Sequence, residues 1–73
     1  MRAQTNKNDI YTSILSMAKE SASKKEIAKA LSISNQQLRR LTAELVDRGM
    51  LRLDEKGMLV TTDKGHVFLQ HNR

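Results

Sequence analysis

Seventy-three residues carry 13 Lys and Arg against 8 Asp and Glu, a formal charge of +5, with no cysteine and no proline. That length bounds the chain to one small domain with a net stability of roughly 3–5 kcal/mol, and the missing cysteines remove disulfide frameworks and thiolate metal sites. No apolar run approaches the ~18 residues that a bilayer span needs, so no membrane contact is expected, and the missing cysteines fit a cytoplasmic protein.

Residues 1–8 are polar. They read as a flexible N-terminus, neither signal peptide nor anchor. A first helix is expected from about Asp9 to Glu20, capped by Asn8 or Asp9. Its apolar residues Ile10, Tyr11, Ile14, Leu15 and Ala18 recur at helical spacing, with Met17 near the edge. Ser21, Ala22 and Ser23 read as a short linker.

The stretch from Ser23 to Gly49 is the most informative. It contains two capping-box patterns, Ser23-x-x-Glu26 and Ser34-x-x-Gln37. In each, the serine oxygen accepts from the N3 amide and the N3 side chain reaches back. A short second helix is expected at Lys24–Leu31, burying Ile27, Ala28 and Leu31. Ile33 plugs the turn. A third helix is expected at about Asn35 to Arg48, burying Leu38, Leu41, Leu45 and Val46, and Gly49 ends it with a positive φ. Two helices in that register form a helix-turn-helix, whose second helix fits a DNA major groove.

Beyond Gly49 the period changes. Met50–Leu53 and Met58–Thr61 are short runs around Asp54-Glu55-Lys56-Gly57, which predicts a β-hairpin with a four-residue loop. Thr62 caps a last helix from Asp63 to about Gln70 that buries Val67, Phe68 or Leu69. Gly65 weakens this helix by about 1 kcal/mol relative to alanine. The domain is expected over 9–70, with 71–73 a flexible C-terminus.

Helix, helix, helix, hairpin, helix gives a mainly α fold with a small β-hairpin, the order of a winged helix-turn-helix. The carriers are Ile14-Leu15, Ser23 through Ile27, Leu38-Arg39-Arg40-Leu41, Leu45 through Leu51, and Val60-Thr61-Thr62-Asp63-Lys64-Gly65 with Phe68-Leu69. On these residues the chain resembles the small archaeal winged helix-turn-helix transcriptional regulators, the group that includes the Sulfolobus dimeric chromatin proteins. The resemblance differs at two points. Ser32 stands in the turn where many such motifs have glycine. Few residues follow Thr62, where the chromatin relatives carry a long coiled-coil helix.

Charge locates the partner. Residues 19–40 hold six bases against Glu20 and Glu26, whereas 41–73 balance five bases with five acids. The basic excess lies on the helix-turn-helix, which points to a polyanion. On the third helix, the side opposite Leu38 carries Gln36, Arg40, Ala43 and Asp47, flanked by Arg39 and Glu44. Arginine pairs with guanine O6/N7, and Gln or Asn with adenine N6/N7. Gln36 and Arg40 are therefore expected to read bases, with Asn35, Gln37 and Arg39 sharing base and phosphate contacts. Small Ala43 allows close approach to the groove. Ser34 and the N-terminal amides are suited to phosphate, as are Lys24 and Lys25. Arg52 and Lys56 on the hairpin are weaker candidates, because Asp54 and Glu55 cancel the field of Lys56.

No catalytic group or cofactor is expected. The chain has no glycine-rich phosphate loop and no nucleophile elbow. His66 and His71 are five residues apart and lack a completing ligand set for metal. One tyrosine and one phenylalanine are too few for a base-stacking platform. The expected partner is double-stranded DNA. A homodimer, through the first or last helix, would supply a second half-site. A low-specificity chromatin protein and a protein-interaction adaptor are the other two readings.

Overall fold

The computed structural model describes residues 7–71. In chain order the elements are α1 (Lys7–Met17), α2 (Lys24–Leu31), α3 (Asn35–Asp47), β1 (Leu51–Leu53), β2 (Leu59–Thr61) and α4 (Asp63–His71). The order is the winged-helix order read from the sequence. The expected flexible ends, 1–8 and 71–73, fall mostly outside the described residues, except that residues 7 and 8 lie in α1 and residue 71 in α4.

α1 begins and ends earlier than its apolar spacing suggests. Lys19 closes the end with an N–H bond to the Ser16 carbonyl at 3.4 Å, a tightened final turn. Its inward face matches expectation: Tyr11, Ile14, Leu15 and Ala18 are buried, with Ile10 and Met17 half-buried against the core. α2 buries Ile27 and Ala28, while Leu31 is only half-buried.

Both capping boxes are formed. Glu26 N–H donates to Ser23 Oγ at 3.1 Å and Ser23 N–H to Glu26 Oε1 at 3.1 Å. Gln37 N–H donates to Ser34 Oγ, and Ser34 N–H to Gln37 Oε1, both at 3.1 Å. A serine cap is worth about 1 kcal/mol over alanine, a sizeable share for a domain this small.

The two helix ends are closed alike. After α2, Ile33 N–H reaches the Ala28 carbonyl and Ser32 N–H the Lys29 carbonyl. After α3, Met50 N–H reaches Leu45 and Gly49 N–H reaches Val46. Each is a paired 6→1 and 5→2 closure that needs a left-handed residue at its centre. Gly49 supplies one at φ 79. Ser32 supplies the other at φ 55, so the turn keeps the shape that glycine would favour and holds a serine in it.

The buried face of α3 corrects the sequence reading. Leu38, Thr42 and Leu45 are buried, Leu41 is half-buried and Val46 is 44% exposed. Helical phase explains the ranking. With Leu38 as centre, Thr42 lies about 40° away, Leu41 about 60° and Val46 about 80°. The Thr42 hydroxyl donates to the Arg39 carbonyl at 3.1 Å, which satisfies it inside the core.

β1 and β2 pair antiparallel with Leu51 opposite Thr61, Arg52 opposite Val60 and Leu53 opposite Leu59. Ala22 adds a third position to this sheet: it exchanges hydrogen bonds with Leu59 in both directions, at 2.8 and 3.0 Å. The segment read as a linker is thus pinned to the hairpin. Thr61 N–H and hydroxyl donate to the Ala18 and Leu15 carbonyls, at 2.9 and 2.7 Å. The hairpin is therefore anchored to the end of α1.

α4 starts at a knot of backbone contacts. The Thr62 oxygen accepts from Gly65 N–H at 3.2 Å, as expected of its cap. Its hydroxyl also donates to the Gly49 carbonyl at 2.5 Å, and Thr62 N–H donates to the Met50 carbonyl at 3.0 Å. Gly65 faces the same carbonyl: a Cβ there would lie 2.3 Å from Met50 O and 2.5 Å from Thr61 Cγ2. Gly65 is required by this close approach. Of the three apolar candidates, Leu69 is buried, Phe68 is half-buried and Val67 is 51% exposed.

Candidate nucleic-acid interface

α3 is held on three sides. Its N-terminus is closed by the Ser34 box and its C-terminus by Gly49. Its flank is tied to α1, where the Tyr11 hydroxyl donates to the Glu44 carboxylate and the Arg48 guanidinium lies 5.4 Å from the centre of the Tyr11 ring. Tyr11 is itself buried. Its hydrogen bond to Glu44, its burial and the Glu44 charge raise its pKa above the ordinary 10.0, against a lowering by Arg48. Glu44 therefore belongs to the α1–α3 contact and leaves the outward face to its neighbours. Sequence spacing alone does not reveal this pair, which is 33 residues apart.

With α3 fixed, Asn35, Gln36, Gln37, Arg39 and Arg40 are all exposed. α2 brings its own N-terminus alongside. Lys24, Lys25, Asn35 and Arg39 line one surface groove over Leu38. Four of the predicted polar residues thus meet at the mouth between α2 and α3. Gln36 and Arg40 lie about 40° apart around the α3 axis and one turn apart along it, on the face opposite Leu38.

Ser34 and Gln37 have a second occupation. The Ser34 hydroxyl accepts from Gln37 N–H and donates to Gln37 Oε1, at 3.1 and 3.4 Å. Gln37 Oε1 also accepts the Ser34 N–H. These side chains hold the start of the helix in place. The first-turn amides of Asn35 and Gln36 remain the outward donors of any helix N-terminus.

Arg52 and Lys56 lie apart from that mouth, exposed on the hairpin with Asp54 and Glu55 around the same depression. Asp54 organises the tip. Its Oδ1 accepts from Lys56 N–H at 2.8 Å and from Met58 N–H at 2.9 Å, and Gly57 completes the turn at φ 80. Between α3 and the hairpin runs a second groove, where Lys24 and Arg39 meet Ala43, Val46, Asp47 and Leu53. The sequence reading missed its apolar part by placing Val46 in the core.

His66 is half-buried and His71 exposed. Among the described residues, no three His, Cys, Asp or Glu side chains converge on a possible metal position. No helix among them is long and apolar enough to cross a membrane.

The sequence profile of the winged helix-turn-helix family matches residues 5–73. Among solved structures, the chain is similar to the transcriptional regulator PA3341, with a TM-score of 0.73 and 20% identity, covering 93% of this chain and 54% of that one. It is also similar to IdeR of T. acidophilum, with a TM-score of 0.67 and 24% identity, covering 89% of this chain and 31% of that one. The chain therefore spans about half or less of the length of these two proteins, and at such identities the likeness is one of fold. No curated protein matches it.

Proposed function

We propose that this chain, which belongs to the winged helix-turn-helix family, is a double-stranded DNA-binding transcriptional regulator that lays α3 in the major groove. One observation carries the reading: the exposed guanidinium and amide groups of α3 stand beside the α2 lysines, with Lys24, Lys25, Asn35 and Arg39 around a single groove. Gln36 and Arg40 read base edges. Asn35 and Arg39 share base and phosphate contacts. Lys24, Lys25 and the first-turn amides take phosphates, which set the register without reading sequence. Ser34 and Gln37 act chiefly by holding those amides in place. Arg52 and Lys56 make a minor contribution, since Asp54 and Glu55 stand beside them. The protein acts in the cytoplasm on nucleoid DNA. It needs no cofactor and performs no catalysis, and regulates by occupying its site.

A homodimer gives the reading two half-sites. The second reading, a low-specificity chromatin protein, draws on the Ser34–Gln37 cap. That cap reduces the side chains available for base contacts to a small set. The test is Gln36→Ala with Arg40→Ala, measured by fluorescence anisotropy on duplexes selected from a random pool and on random duplex. Sequence-specific binding predicts that the double variant loses its preference for selected duplexes and keeps the random-duplex affinity. Unchanged affinity and preference would sink the assignment to α3. Equal affinity of the native chain for selected and random duplex favours the chromatin reading.

A further inference from the structure

Two of the three large apolar side chains that the described surface exposes stand in one place. Val46 is 44% exposed and Leu53 is 50% exposed, and both line the groove between α3 and the hairpin, with Ala43 between them and Arg39. On α3, Arg39, Ala43 and Val46 follow at i, i+4 and i+7, so they form one strip facing the hairpin. Val46 is not part of the buried core. It lies about 80° from the buried centre of the helix, where any polar residue would be accepted, so the fold does not require an apolar one.

What covers the strip follows from its surroundings. Lys24 and Arg39 stand in the same groove and draw a polyanion to it. Asp47 stands at the other end and disfavours phosphate there. A polyanion that brings its charge to Lys24 and Arg39 and an uncharged apolar group to Val46 is a duplex lying along α3. The apolar group that a base edge presents in the major groove is the thymine C5 methyl. We infer that Ala43, Val46 and Leu53 form an apolar strip that reads thymine methyl groups beside the bases contacted by Gln36 and Arg40. Val46 and Leu53 are then specificity-determining residues, and the preferred duplex carries thymine at a fixed offset from the base read by Arg40.

The inference rests on the reading of α3 as a DNA-binding helix, and its test separates the two failures. The full chain selects duplexes from a random pool. The selected duplex is then made with deoxyuridine in place of each thymidine in turn, which deletes the methyl and leaves base pairing intact. One replacement is expected to weaken binding about fourfold, the factor for one buried methylene-sized group. Val46→Ala should lose a similar factor on the thymidine duplex and little more on the deoxyuridine duplex. Its urea midpoint should match the native chain, because the site is half exposed. A chain that binds no duplex overturns the reading of α3 itself. Selective binding with every deoxyuridine neutral, or with losses that add fully to Val46→Ala, overturns the inference alone. So does a Val46→Ser chain that loses self-association in sedimentation and keeps its DNA affinity, since the strip then joins two copies.

Discussion

Gly65→Ala sets two effects of opposite sign against each other. Gly65 lies inside α4, and helix propensity alone predicts that alanine stabilises by about 1 kcal/mol. The structure reverses the sign. The new Cβ would stand 2.3 Å from the Met50 carbonyl oxygen and 2.5 Å from Thr61 Cγ2. Neither neighbour is free to yield. The Met50 carbonyl accepts the Thr62 N–H at 3.0 Å. Thr61 is buried and tied to α1 through Leu15. Relief requires α4 to move outward by roughly 1 Å, which opens its packing on α1. Overpacking of this kind costs about 1–3 kcal/mol, occasionally more, and a backbone oxygen as the obstacle puts this case at the upper end. Net of propensity, the loss is about 2 kcal/mol, which lowers Tm by roughly 8–16 °C in a domain this size. Urea unfolding followed by circular dichroism measures it. Gly57→Ala is the control, since open space surrounds that position at φ 80, and only the left-handed backbone costs about 1 kcal/mol. A Gly65→Ala midpoint equal to or above that of the native chain, with an unchanged slope, would refute the close-approach argument.

Ser32→Gly acts in the other direction. It removes the left-handed strain at φ 55, and after the added freedom of the unfolded chain it should stabilise by about 0.5 kcal/mol, read as a higher urea midpoint. Tyr11→Phe deletes the hydrogen bond to Glu44 and should cost about 1–2 kcal/mol near neutral pH. The same pair produces a pH signature. The folded pKa of Tyr11 is raised above 10.0, so the folded state holds the proton more tightly, and stability falls as pH climbs from 10. The Phe variant should lack that increment, and an identical alkaline slope in both chains would exclude it. Lys24→Ala with Lys25→Ala should lower the slope of log affinity against log salt by about 1 for each phosphate that the lysines no longer neutralise. Lys56→Ala should change that slope by less than either.

How far the fold was legible depended on whether the signal was local. Each capping box lies within four residues, and both form as read. Gly49 and the turn Asp54-Glu55-Lys56-Gly57 are likewise short-range punctuation, and the hairpin forms around that turn. What escaped was set by distant partners. The clash that makes Gly65 necessary comes from Met50, fifteen residues away, so the sequence alone shows only a helix with a poor residue in it. Ala22 reads as linker until Leu59 is placed beside it. Glu44 reads as an outward acid until the Tyr11 hydroxyl reaches it from α1. Val46 is a different kind of miss. Its angular distance from Leu38 already ranked it outside Thr42 and Leu41, but hydrophobicity outweighed phase in the reading. That error concealed the apolar part of the candidate site. The polar part, from Asn35 to Arg40, was legible because it follows directly from which side Leu38 buries.

In the proposed complex, α3 meets the duplex together with Leu53 of its apolar strip, and the charged side chains of the hairpin only support the contact. Amide chemical-shift mapping of the full chain during titration with selected duplex DNA tests this most directly. The largest changes are expected at residues 34–40, at Lys24 and Lys25, and at the strip residues Ala43, Val46 and Leu53, with smaller changes at Arg52 and Lys56. Changes centred on α1 and α4, or on the hairpin with α3 unmoved, would contradict it.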